Sequence, residues 1–161
     1  MTLRPIQSED RDGMLRLLTD PIIGKTFMLP QYPDPQGTML LFQRMLALSH
    51  DSNRYVRAIC LKDQLIGFIN DTEIHGISIE LGYVIDPAFH GKGYMTRALK
   101  IAIEELFTQG YAVITAGAFT ENAASLRVME KCGMQRLART DTIEYRGKAH
   151  TCVYYHIQKQ E

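Results

Sequence analysis

The sequence has no tryptophan, only three cysteines and six prolines among 161 residues, and no excess charge of either sign. Each shortage excludes something. Cys60, Cys132 and Cys152 are odd in number and scattered, with no C-x-x-C spacing. That pattern argues against a disulfide framework or a metal site and predicts three buried thiols in a reducing, cytoplasmic setting. Eighteen basic residues balance eighteen acidic ones, so no net field draws the chain to nucleic acid or an anionic membrane. No apolar run is long enough to span a bilayer, and the start turns polar at once, which predicts no secretory leader. Hydrophobic residues make up 45% of the chain, enough to bury the core of a single domain over residues 1–161.

Residues 2–6 read as a short strand, and Ser8 as the cap of a helix carrying Met14, Leu17 and Leu18 on one side. The Pro- and Gly-punctuated stretch 29–37 reads as a surface loop, and 38–49 as a second helix with Leu41, Met45 and Leu48 at helical spacing. Strands are predicted at 55–61, 65–71 and 77–85, the first two joined by the turn at Lys62-Asp63-Gln64. Leu99, Ala102, Ile103 and Leu106 mark the buried stripe of a long helix closed by Gly110. A strand at 112–119, a helix at 122–131 stopped by Gly133, and two strands at 136–144 and 149–157 complete the order. The sum is β-α-α-β-β-β-α-β-α-β-β, an α/β architecture with a mixed sheet.

One segment carries chemistry: residues 80–96, ELGYVIDPAFHGKGYMT. A strand ends at Asp86-Pro87, a loop with Gly91 and Gly93 follows, and a helix begins at once. Glycine lets the backbone approach a ligand, and a helix start offers unpaired N–H groups and a positive dipole end. Together these make a cradle for a pyrophosphate. A Walker A loop is excluded, because Lys92 precedes Gly93. A dinucleotide fingerprint is excluded too, because Thr96 takes the place of the third glycine.

The segment resembles motif A of the GNAT acetyltransferases, R/Q-x-x-G-x-G/A. Its local form, G-K-G-Y-x-T after E-[IL]-G-Y-x-[IL]-x-P, is similar to the branch that acetylates ribosomal-protein N-termini. A second signature of that branch, N-x-x-S-x-[RK]-x-[LM]-E-K-x-G-[FM], matches residues 122–134, NAASLRVMEKCGM. Two motifs in the right order are far more specific than either alone. The sequence departs from the family pattern at His90, where Arg or Gln is common, at Met95, where Gly or Ala is common, and at Met129, where many members carry Tyr. Met95 leaves the cradle open only if its side chain turns away from the loop.

The resemblance implies a central twisted, mostly antiparallel sheet flanked by helices, with acetyl-CoA as cosubstrate and no metal. Backbone groups of Val84 and Ile85 would pair with the pantetheine arm. The loop from His90 through Gly91, Lys92, Gly93, Tyr94, Met95 and Thr96 would hold the pyrophosphate, and Asn122 would meet the pantetheine side. Attack on a thioester needs a neutral amine, whereas a free alkyl amine is mostly protonated at neutral pH. Glu80 is the candidate base, direct or through water. Ser125 is the candidate partner of the departing thiolate. Lys92, Arg97 and Arg127 are further candidates for phosphate contact, and Tyr32, His75 and Tyr145 for the acceptor side.

The expected function is acetyl transfer to a primary amine, a peptide N-terminus or a small molecule, by direct attack in a ternary complex. The alternative is an acyl-CoA-binding regulatory module that has lost turnover, which Met95 and the missing Tyr favour and Glu80 disfavours. No nucleic acid or membrane partner is expected, and the chain is expected to be a monomer or homodimer. Acceptor specificity is expected to lie in the loop 27–37.

Overall fold

A computed structural model describes residues 1–161. Seven strands and four helices follow the predicted order: β1 (Thr2–Arg4), α1 (Arg11–Leu18), α2 (Pro35–Ser49), β2 (Val56–Leu61), β3 (Gln64–His75), β4 (Ser78–Ile85), α3 (Tyr94–Thr108), β5 (Val113–Phe119), α4 (Ala123–Lys131), β6 (Gln135–Tyr145) and β7 (Lys148–Gln158). Three short 3-10 turns, Ser8–Asp10, Ile23–Lys25 and Pro87–Phe89, were not expected from the sequence. The strands form a mixed sheet in the order β1-β2-β3-β4-β5-β7-β6. By contacts the chain forms two compact units, Met1–Asp71 with Tyr83–Tyr94, and Thr72–Gly82 with Met95–Glu161.

In the first unit, β1 and β3 flank β2 in antiparallel ladders. The β2–β3 hairpin turns at Lys62, whose φ of 57° lies in the left-handed region. The core is built from Ile6, Met14 and Leu17, from Phe42 and Met45, and from Val56, Ala58, Phe68 and Val84. Each large apolar side chain removed from water there contributes about 1.5–3 kcal/mol. A buried polar residue closes the packing: the Ser49 hydroxyl donates to the Val56 carbonyl at 2.8 Å and accepts from Ile6 N–H at 2.7 Å.

Two helix starts differ from the sequence reading. Ser8 does not cap α1; it lies inside a 3-10 turn whose cap position is Gln7. The physical reason is Asp10, whose carboxylate accepts the Gln7 N–H at 2.8 Å and holds Arg4 at 2.7 and 2.8 Å. A charge-assisted pair of that kind outweighs a neutral hydroxyl cap. Likewise α2 starts at Pro35 and not at residue 38, because Asp34 accepts the Gln36 N–H at 2.8 Å and proline suits the first helical position. The buried stripe of α2 runs through Thr38, Phe42, Met45 and Ser49, with Leu41 and Leu48 on its shoulders.

In the second unit, β4 and β5 run parallel from Ser78–Val113 to Leu81–Ala116. Antiparallel to β5 lies β7, which pairs in turn with β6. The β6–β7 turn places Arg146 and Gly147 at φ 51° and 76°, as a tight two-residue hairpin requires. Residues opposite one another on a ladder share a face. One face thus carries Ile114, Ala116, Val153 and Tyr155, all buried, and the Tyr155 hydroxyl donates to Glu130 of α4 at 3.0 Å. The other face carries Glu80, Thr115, Gly117, Phe119, Cys152 and Tyr154.

Candidate active site

The approach to the glycine loop is fixed by Asp86. Its carboxylate is buried, accepting the Ala88 N–H at 2.9 Å and the Arg16 guanidinium at 2.5 Å. Burial alone pushes this carboxyl upward, but the Ala88 N–H, Arg16 and nearby His90 outweigh it and hold it below the usual carboxylate range. A depressed carboxyl adds stability that is complete above its unfolded value and fades as pH falls through the folded one. Asp86→Ala is therefore expected to cost about 1 kcal/mol at neutral pH, as loss of a cap does. Melting curves of the two proteins should converge as pH falls through and below the ordinary carboxylate range. A gap that persists unchanged in acid would show that Asp86 acts through packing alone.

Beyond Asp86, the His90 ring meets the Ile85 carbonyl at 3.0 Å and ties the loop back to the end of β4. Gly91 and Gly93 hold φ of 74° and 77°, a region open to glycine, and are exposed with no atoms near the place of a side chain. Lys92 is exposed, its ammonium 5.8 Å from the Phe89 ring, and Tyr94 meets Phe89 edge-on at 6.2 Å. The 15-residue α3 follows at Tyr94, and the first N–H groups of such a helix have no partners within it. Met95 is 6% exposed and belongs to the buried stripe with Ala98, Leu99, Ala102, Ile103 and Leu106. Its thioether is therefore turned into the core, which is what an open loop needs. Thr96 is half-buried, and its carbonyl accepts from the Cys132 thiol. This geometry suits a pyrophosphate: backbone without obstructing side chains, opening on a positive helix end.

Glu80 is half-buried on β4. The Thr72 hydroxyl donates to its carboxylate at 2.9 Å, and the Arg139 guanidinium stands 3.9 Å away. Neither partner was visible in the sequence. Arg139 in turn donates to Asp141 at 3.0 Å and lies 3.9 Å over the Tyr154 ring, whose hydroxyl donates to Asp141 at 2.7 Å. Burial and then Asp141 push the Tyr154 hydroxyl well above its ordinary value, so it stays protonated and keeps its proton on the bond to Asp141. Gly117 gives the ring its place, since a Cβ there would lie 2.7 Å from it.

Asn122 and Ser125 meet as the local sequence predicts for a helix start. Asn122 caps α4, its side-chain oxygen accepting the Ser125 N–H at 3.2 Å. Met129 is fully buried. Among the other candidates, His75 is exposed and paired with Glu73 at 2.6 Å, while Arg97 and Arg127 face outward from their helices. Tyr32 lies against Gly37 at the start of α2, and Tyr145 packs on Phe119 at 6.0 Å. No group of three or more His, Cys, Asp or Glu side chains is arranged to hold a metal ion, and no helix is long and apolar enough to cross a membrane.

The model of the acetyltransferase (GNAT) domain family matches residues 1–135. The chain belongs to the GNAT acetyltransferase family. Among its relatives, the probable N-acetyltransferase YjcK of Bacillus subtilis (strain 168) is 33% identical over 78 residues, 46% of this chain. That match spans 43% of the relative's length, less than half of it. Among solved structures, RimL, a ribosomal L7/L12 alpha-N-protein acetyltransferase in complex with coenzyme A, aligns with a TM-score of 0.87 at 18% identity, over 97% of this chain and 92% of that one. The spermidine N-acetyltransferase of Vibrio cholerae, in complex with CoA and spermine, aligns with a TM-score of 0.83 at 20% identity, over 98% and 94%. At these identities the two structures speak for the GNAT fold alone.

Proposed function

We propose that residues 1–161 act as one acetyl-CoA-dependent N-acetyltransferase domain that acetylates a primary amine by direct attack. The observation that carries this reading is the loop at Gly91 and Gly93: two left-handed glycines run straight into α3 while Met95 is withdrawn into the core. In this reading acetyl-CoA supplies an acetyl thioester; the amine nitrogen bonds to its carbonyl carbon as the carbon–sulfur bond breaks. Amides of residues 91–96 bind the pyrophosphate, and backbone groups of Val84 and Ile85 bind the pantetheine arm. Glu80 takes the proton that the amine must lose, directly or through one water.

Asn122 has its side-chain oxygen committed to Ser125, so it offers a ligand its amide NH2 as donor. The Ser125 hydroxyl serves the departing sulfur. The three free, buried thiols are in keeping with a cytoplasmic location.

Calorimetric titration with acetyl-CoA, CoA and ATP tests the reading. Micromolar binding of both CoA species and none of ATP is expected, followed by CoA release on adding an amine. Failure to bind either CoA species would overturn it. Binding without CoA release across an amine panel would leave the regulatory-module reading in its place.

A further inference from the structure

The Arg139 guanidinium is held in place from two sides. Tyr154 is buried, braced by Gly117 beneath it, and lies under the guanidinium at 3.9 Å. Asp141, fixed by the Tyr154 hydroxyl, takes one guanidinium nitrogen at 3.0 Å. The ladder explains how Arg139 arrives there. Arg136 opposes Tyr155 and Thr140 opposes Val153, so four steps along β6 match two along β7, and the bulge between them carries Arg139. A planar cation stacked on an aromatic face and bonded to a carboxylate is a fixed charge, not a waving surface arginine.

Its other terminal nitrogen points at Glu80, and 3.9 Å separates it from the nearer carboxylate oxygen. That gap is too long for a hydrogen bond, so neither group saturates the other. The pair presents a carboxylate and a guanidinium side by side, and Arg139 is half-exposed. A ligand that complements it carries an amine at one end and a planar oxygen pair or carbonyl close by at the other. A polyamine complements only half of it and brings a second positive charge against Arg139.

Resting on the acetyltransferase reading and on Glu80 as base, we propose that Arg139 is a specificity-determining residue. It selects acceptors whose primary amine lies close to a carboxylate or carbonyl oxygen, such as α-amino acyl groups, and it turns polyamines away. The amine faces Glu80 while the oxygen takes the guanidinium N–H groups left free by Asp141.

The test uses the full chain saturated with CoA, with alanylglycine and spermidine as probes, each titrated calorimetrically so that no turnover is needed. Wild type is expected to bind alanylglycine at least tenfold more tightly than spermidine. Arg139→Met keeps the aliphatic stem over Tyr154 but removes the charge. It is expected to weaken alanylglycine about tenfold and to strengthen spermidine by a similar factor. Arg139→Lys keeps the charge without the fork: spermidine should stay weak while alanylglycine loses part of its affinity. It also serves should the Met variant fold poorly.

No alanylglycine binding by wild type, or an unchanged probe ratio in both variants, would overturn the inference. Loss of CoA binding, or probe binding without CoA release from acetyl-CoA, would count against the acetyltransferase reading instead. The two failures are therefore told apart.

Discussion

Replacing Glu80 with glutamine is expected to lower kcat for amine acetylation by about a hundredfold or more, the usual scale for a general base. Acetyl-CoA affinity should stay within about twofold of wild type. The substitution preserves volume, and a glutamine carbonyl can still accept the Thr72 hydroxyl that now bonds the carboxylate at 2.9 Å. What it cannot do is take a proton from the acceptor. Glu80 sits on β4 opposite Thr115 of β5, in a regular stretch of ladder, so its backbone has no reason to move. The measurement is CoA release under saturating acetyl-CoA, alongside a calorimetric titration of the cofactor. If kcat falls less than threefold while both substrates saturate, Glu80 is not the base.

A second large effect is expected at Gly67. A methyl group there would stand 2.2 Å from the Val84 carbonyl oxygen and 3.1 Å from the Ile85 Cα. Both obstacles are backbone, so no rotamer change relieves them, and either β3 or the end of β4 must shift. Overpacking of this kind costs about 1–3 kcal/mol and more when backbone blocks relaxation. For a chain of this length, Gly67→Ala should lower Tm by roughly 4–10 °C. Because Val84 and Ile85 are the proposed seat of the pantetheine arm, acetyl-CoA should also bind at least tenfold more weakly. Gly91→Ala is the matched comparison: no atom lies near the added methyl, and only the φ of 74° is strained, at about 1–2 kcal/mol. A Gly67→Ala protein as stable as wild type would remove the close approach as the reason for glycine there.

The sequence made the order of elements legible because its signals were local and mutually supporting. The α3 stripe at Leu99, Ala102, Ile103 and Leu106, the glycines at 110 and 133, and the Asn122 cap each depend on a few neighbours only. Where a longer-range partner competed, the local signal lost. Ser8 gave way because Arg4 fixes Asp10, a pairing that no periodicity reveals. The start of α2 at Asp34-Pro35 is different: the cap and the N1 proline stand in the sequence, but Pro30, Pro33 and Pro35 together carry the signature of a loop.

The same division holds at the site. The backbone geometry of the glycine loop was legible because it is written in consecutive residues. The surroundings of Glu80 were not. Thr72, Arg139, Asp141 and Tyr154 come from β3, β6 and β7, and only the ladder brings them to one face. A bulge between Arg136 and Thr140 puts Arg139 out of step with simple alternation, so strand periodicity misplaces it. Gly117 could have been a hint, since a glycine inside an apolar strand signals something packed close above it.

The three cysteines have a practical consequence for studying catalysis. All are buried, and Cys132 is pushed up to about 11, mainly by burial, with Lys100 drawing it back only in part. At neutral pH such thiols are neither ionised nor accessible, and chromogenic disulfides react with thiolates. A colorimetric reagent added to the folded protein should register almost no sulfhydryl of its own. Turnover can then be followed continuously by that colour, with the polypeptide as a silent background.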